Sequence, residues 1–166
     1  MSDLQGFIPQ PERRLITTRR EYLDGLDLIV AMARRELVLF DPDLVAIEIN
    51  APARIERLGG FLAANRDNRL RIAVHDADPL KRSCPRLLGL LAQHSAAMAI
   101  HQTEGEATRA QDCFMLADAE HFVRRGVAAQ PRGAIGLHEP REGRQMHDPV
   151  AVDLQNSQRK STSQNT

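Results

Sequence analysis

The chain has 166 residues, the length of one ordinary domain, and 42% of them are apolar, enough for a core built without a metal or disulfide framework. Lys plus Arg balance Asp plus Glu at 22 each, so no overall basic charge points to nucleic acid or to an anionic membrane surface. The two cysteines, Cys84 and Cys113, are too few and too far apart for a metal knuckle or a C-x-x-C redox site.

The first residues, Met1 to Phe7, lack the basic flank and apolar core of a signal peptide. No run reaches the roughly 18 to 20 apolar residues that cross a bilayer, so a cytoplasmic protein without a membrane span is expected. Residues 1–14, with Pro9 and Pro11 and no periodicity, read as an N-terminal arm. Residues 156–166 carry no apolar anchor and read as a disordered tail, leaving 15–155 as a single domain.

Tyr22, Leu26, Ile29, Val30 and Ala33 recur at helical spacing and predict a first helix from about Arg20 to Arg35. Leu37 to Phe40, stopped by Asp41-Pro42-Asp43, suits a strand buried on both faces. Ile55, Leu58, Phe61 and Leu62 predict a second helix, weakened by Gly59-Gly60 at about 1 kcal/mol per glycine relative to alanine. Leu70, Ile72 and Val74 alternate as a strand that ends at His75-Asp76. Asp78-Pro79 offers an N-cap and first-turn proline for a third helix, which Pro85 kinks or restarts.

Met98 to His101 reads as a strand, and Gln102 to Ala110 as the loop leaving it. Phe114 to Ala117 and His121 to Val123, separated by Asp118-Ala119-Glu120, read as a hairpin. A final helix is expected around Glu139 to Leu154, interrupted by Pro149. Alternating strands and helices predict an α/β fold with a mixed, largely parallel sheet flanked by helices.

The segment Gln111-Asp112-Cys113-Phe114-Met115-Leu116-Ala117-Asp118 resembles the H-x-K-x-x-x-x-D strand of the phospholipase D superfamily. Gln111 stands at the position of the nucleophilic His, Cys113 at that of the phosphate-binding Lys, and Asp118 matches. No histidine begins a better match: the third and eighth positions are Ala77 and Arg82 counted from His75, and Val123 and Ala128 counted from His121. The order of elements over about residues 15 to 155 is similar to one half of a phospholipase D fold. The text around Glu36 to Pro42, Arg69 to Pro79 and Asp112 to Val123 resembles a bacterial domain of unknown function sometimes joined to an acetyltransferase.

The resemblance implies a pseudoenzyme. In active members the motif His attacks phosphorus and the Lys neutralises the phosphoryl oxygens, whereas an amide has no basic lone pair and a thiol no permanent charge. No catalytic residue, metal or cofactor is therefore expected, and the domain is read as a binding or regulatory module. A homodimer near Gln111 to Asp118 and an acetyltransferase or other protein partner follow from the same resemblance.

Asp41, His75 and Asp76 end strands, where open α/β sheets place ligands, and are candidate binding residues. The second reading is a metal-dependent phosphoester hydrolase that uses carboxylates at these strand ends to hold Mg²⁺ or a similar hard cation. The competing structural account makes Asp41 and Asp43 turn residues. His75-Asp76 also has the residue types of the metal-binding pair of HD phosphohydrolases, but it stands at a strand end and not on a helix. Arg124 and Arg125, with Arg13, Arg14, Arg19 and Arg20, are candidates for a phosphate site set against scattered surface ion pairs. Cys113 is a candidate thiolate nucleophile activated by His101 or His121, set against a buried apolar thiol.

Overall fold

The computed structural model describes residues 9–103, 113–125 and 133–147. Gln111, most of the loop expected at Gln102 to Ala110, the final helix beyond 147 and the tail 156–166 lie outside the described residues. The elements are β1 (Glu12–Ile16), α1 (Arg19–Met32), β2 (Glu36–Asp41), α2 (Pro52–Ala64), β3 (Arg69–Val74), α3 (Leu80–Ser83), α4 (Pro85–Gln93), β4 (Met98–Gln102), β5 (Cys113–Ala117), β6 (His121–Arg125) and β7 (Gly133–Leu137). Residues 140–147 are helical. Among the described residues no helix is long and apolar enough to cross a membrane.

The seven strands form one mixed sheet in the order β1-β7-β6-β5-β2-β3-β4. Only β2·β3 and β3·β4 are parallel; β2·β5, β5·β6, β6·β7 and β1·β7 are antiparallel. The expectation of a largely parallel sheet is therefore corrected. Parallel pairing needs a crossover, which α2 and then α3 with α4 supply. The hairpin β5–β6 needs none, and it adds to the free edge of β2 in the opposite sense. The sheet also begins earlier than expected, since the first three residues of Glu12–Ile16, which pairs with β7, lie inside the segment read as an arm.

Helix α1 starts at Thr18, whose side chain accepts the Glu21 amide and so satisfies one of the first-turn donors. Its Tyr22, Gly25, Leu26, Ile29 and Val30 form one buried face. A Cβ at Gly25 would lie 2.8 Å from Val123 Cγ2, so the absent side chain lets α1 press against β6. Helix α2 runs through Gly59-Gly60 because Leu58, Phe61 and Leu62 are buried. Asp78 does not cap the third helix as expected. Its amide instead binds Asp76 Oδ1 (3.0 Å), and the helix starts only at Leu80. Pro85 restarts the chain as α4, whose Arg86 and Leu87 amides are capped by Asn50 Oδ1 at 2.8 and 3.2 Å.

Alternation splits the sheet's side chains between two cores. Leu37, Leu39, Ile72, Met115 and Val123 pack in the larger core with residues of α1, α2 and α4. Val38, Phe40, Phe114, Leu116 and Phe122 form the smaller one on the opposite face, with Met146 against it.

Candidate functional site

The two ends of the β5–β6 hairpin differ in chemistry. At the turn, Asp118 and Ala119 have φ of 55° and 52°. The Asp118 carboxylate accepts the amides of Arg34 and Arg35 at 2.8 Å each and of Glu36 at 2.9 Å. Three backbone donors converge on it, an arrangement that binds anions generally and is here filled from within the chain. The one motif residue that matches the phospholipase D pattern is thus a strut between the hairpin and the α1–β2 junction.

At the other end, register brings polar residues together. Phe40 pairs with Phe114, so the next position along sets Asp41 beside Cys113. Cys113 pairs with Arg125. Directly opposed residues share a face of the sheet, and here it is the face covered by α1. The Cys113 thiol is completely buried, Asp41 is 1% exposed and Arg125 5%. The Arg125 guanidinium lies 4.6 Å from the centre of the Tyr22 ring, a cation–π contact.

Asp41 Oδ2 accepts the Leu44 amide at 2.7 Å and the Asp43 amide at 3.2 Å, so the turn account of this residue holds for one of its oxygens. Its Oδ1 stands 4.0 Å from an Arg125 amino group, an ion-pair distance too long for a hydrogen bond. Burial raises the Asp41 pKa, opposed by the two turn amides and by Arg125. Burial also raises that of Tyr22. Tyr22 Oη, Asp41 Oδ1 and Arg125 Nε are all buried without a hydrogen-bond partner among the described residues. Buried polar atoms left unpaired are costly, so three in one place make this the least satisfied polar cluster among the described residues.

The remaining candidates separate. Arg124 and Arg125 are consecutive on a strand and face opposite sides, so they do not share a ligand; Arg124 binds Glu142 at 2.9 Å instead. Arg13 also reaches Glu142, Arg14 pairs with Glu12, Arg19 with Glu48 and Arg20 with Asp24. His75 Nδ1 lies 2.8 Å from Thr103 Oγ1, with its ring edge-on to Phe40 in the smaller core. Asp76 closes its own turn, so the strand-end carboxylates serve separate local partners. His121 sits at the far end of the hairpin from Cys113, four residues or about 14 Å away, and His101 is three strands across, a similar distance.

Sequence reading missed a group at the turn end. Glu120, His121 and His138 bring their ligand-type atoms within 4.8 Å of one another. They adjoin a cavity of about 320 Å³ that Arg34, Arg35 and Asp118 also line. Their chemistry does not fit a metal. His121 Nδ1 accepts the His138 backbone N–H at 3.0 Å, which leaves the ring proton on Nε2. A metal-bound histidine keeps its proton on the nitrogen away from the ion, and here that nitrogen already faces a donor. His138 is distant in sequence and meets His121 only through β6–β7 pairing, so no local spacing announces the group.

The fold and the two ends of the hairpin define an α/β domain with a buried, partly unsatisfied polar cluster at one end of a mixed sheet. The chain belongs to the DUF7931 family, a domain of unknown function whose model matches residues 19–159. No curated protein matches it. It is similar in fold to TrmBL2, an archaeal chromatin protein whose structure shows a novel mode of DNA binding, with a TM-score of 0.64 and 11% identity over 93% of this chain and 56% of that one. The chain therefore spans little more than half of that neighbour's length.

Proposed function

We propose that this domain is a catalytically inactive phospholipase D-like module that acts by binding. The observation that supports the reading is the place of Cys113: where the resemblance calls for a lysine, a cysteine is fully buried and register sets it beside Arg125. A second permanent cation there would be desolvated against the first. The residue that matches the motif, Asp118, engages three backbone amides through both carboxylate oxygens.

The binding surface of this module lies at the ends of the β5–β6 hairpin, where Tyr22, Asp41 and Arg125 are themselves buried beneath one of them. A second copy of the chain, or a partner enzyme such as an acetyltransferase, would receive the signal. β5 is buried between β2 and β6, so a dimer contact would form at the hairpin's ends and not along the strand. DNA binding is a property of TrmBL2 and is not carried over at 11% identity.

The test is turnover of a phosphodiester by the full chain, with and without Mg²⁺ and Mn²⁺. None is expected under either condition, and Asp76→Ala should change nothing. Robust turnover lost in Asp76→Ala would replace this reading with the metal-dependent hydrolase. Sedimentation at high concentration tests the second copy: a strict monomer removes the dimer and leaves the partner enzyme.

A further inference from the structure

The cavity at the turn end of the β5–β6 hairpin, about 320 Å³, falls within the range of roughly 300 to 1,000 Å³ usual for small-molecule sites. Its wall has donors to spare. Arg34 and Arg35 are consecutive and exposed, yet both line it, because the chain between α1 and β2 is irregular and does not alternate as a strand does. Their backbone amides hold Asp118. Among the described residues no acid stands within ion-pair distance of either guanidinium.

The third donor is His121, only 6% exposed and also on the cavity wall. Its Nδ1 accepts the His138 amide, so the ring proton sits on Nε2, and Glu120 Oε2 stands 3.7 Å from that nitrogen, beyond hydrogen-bond reach. Burial is the largest cause of the lowered His121 pKa, and the Arg34 charge also lowers it, so that guanidinium is within electrostatic reach of the ring.

Two acids share the wall, and both are engaged. Asp118 gives its two oxygens to three amides, and Glu120 Oε1 contacts His138 Nδ1 at 3.4 Å. What the chain leaves unfilled is two forked cations and one neutral N–H, all of them donors. An anion with several acceptor oxygens is their complement. A carboxylate offers two oxygens; a phosphate monoester offers three, one for each donor group, and the cavity leaves room for the esterified body.

We infer that the Arg34–Arg35–His121 cavity binds a phosphate monoester; this rests on the binding-module reading above and names the ligand of the hairpin's turn end. Arg34 and Arg35 supply the charge, and His121 fixes the phosphate from the buried side. The site lies at the opposite end of the hairpin from Cys113, so it is separate from the positions that resemble the phospholipase D motif's His and Lys.

Nitrogen-15 NMR titration of the full chain at constant ionic strength tests the inference, with ribose 5-phosphate, inorganic phosphate, acetate and ribose as probes. Ribose 5-phosphate should move the His121 Nε2 and Arg34 signals, while acetate and ribose should not. Arg34→Ala and Arg35→Ala should each weaken it at least about tenfold, the effect of losing a hydrogen bond to a charged group. Both variants keep the Asp118 strut, which uses backbone amides. Arg20→Ala, which removes the same charge roughly 20 Å away at the start of α1, should change nothing.

Tighter binding of ribose 5-phosphate than of inorganic phosphate supports the ester, and equal binding overturns it in favour of the free ion. No response to either phosphate, an unmoved His121 signal, acetate bound as well as phosphate, or Arg20→Ala as damaging as Arg34→Ala would overturn the site and leave the binding-module reading standing with another ligand. The native titration decides even where a variant fails to fold. Phosphodiester turnover is a separate measurement and strikes only at the parent reading.

Discussion

Replacing Asp118 by alanine tests the strut. The carboxylate receives three amides, of which those of Arg34 and Arg35 are exposed and that of Glu36 is half-buried. Water can take over the two exposed donors, so their loss costs about 0.5 kcal/mol each, whereas the half-buried one to a charged acceptor costs about 1.5 kcal/mol. Alanine must also hold the left-handed conformation that Asp118 adopts at φ 55°, at about 1 kcal/mol more. The expected loss for Asp118→Ala is thus about 3–4 kcal/mol. Asp118→Gly removes the conformational part and should fall about 1 kcal/mol short of that. Asp118→Asn keeps one acceptor oxygen and tolerates the left-handed region, so it should cost least, about 1–2 kcal/mol. Urea unfolding followed by far-ultraviolet circular dichroism, with linear extrapolation to water, reads all three. A loss below about 1 kcal/mol for alanine, or asparagine as damaging as alanine, would refute the structural account of Asp118.

Cys113→Lys should not restore activity and should destabilise the fold by at least 3 kcal/mol as an order of magnitude, since it buries a second cation in register with Arg125; denaturant unfolding and a phosphodiester assay check both halves. Cys84 and Cys113 are both buried, so neither should react with a thiol reagent until denaturant is added. Burial lowers the His121 pKa, against the pull of Glu120, which means the unfolded chain takes up a proton before the folded one does. Stability from this group is complete above the ordinary histidine range and is lost as pH falls toward the lower folded value. His121→Asn, which keeps an acceptor for the His138 amide, should flatten that part of the stability–pH curve, while a curve of unchanged slope would clear His121 of the effect. Gly60 has nothing within 4 Å of a built Cβ, so Gly60→Ala should stabilise by about 1 kcal/mol. Gly25→Ala faces Val123 at 2.8 Å and should destabilise by about 1 kcal/mol despite the same gain in propensity; matched thermal melts separate them.

Helix α1 and the hairpin were legible because each carries its own pattern: Tyr22, Leu26, Ile29 and Val30 at helical spacing, and two apolar runs around Asp118-Ala119-Glu120. The two outer strands were not. In β1 only Ile16 is buried, because the strand lies at the edge and Leu15 is 79% exposed, so the segment has too little apolar contrast to read. In β7 Gly133 and Gly136 dilute the strand signal, yet Gly136 is needed there because a Cβ would overlap the Phe122 ring. The position of Asp41 at a strand end was legible from the apolar run before it. Its partner Arg125, 84 residues on, was grouped with Arg124 as one candidate phosphate site, because adjacency in sequence hides opposite facing across a sheet.

The pair Arg124 and Arg125 also acts as a check on strand alignment. Sliding the hairpin by a single residue along β2 would send Arg125 toward the Phe40 and Phe114 side and swing Arg124 under α1, away from Glu142. Either arginine would then lose the acid it now faces, one on each side. Two like charges placed back to back thereby make a one-residue misthreading of the sheet doubly unfavourable, and a short apolar hairpin is kept from exchanging its two faces.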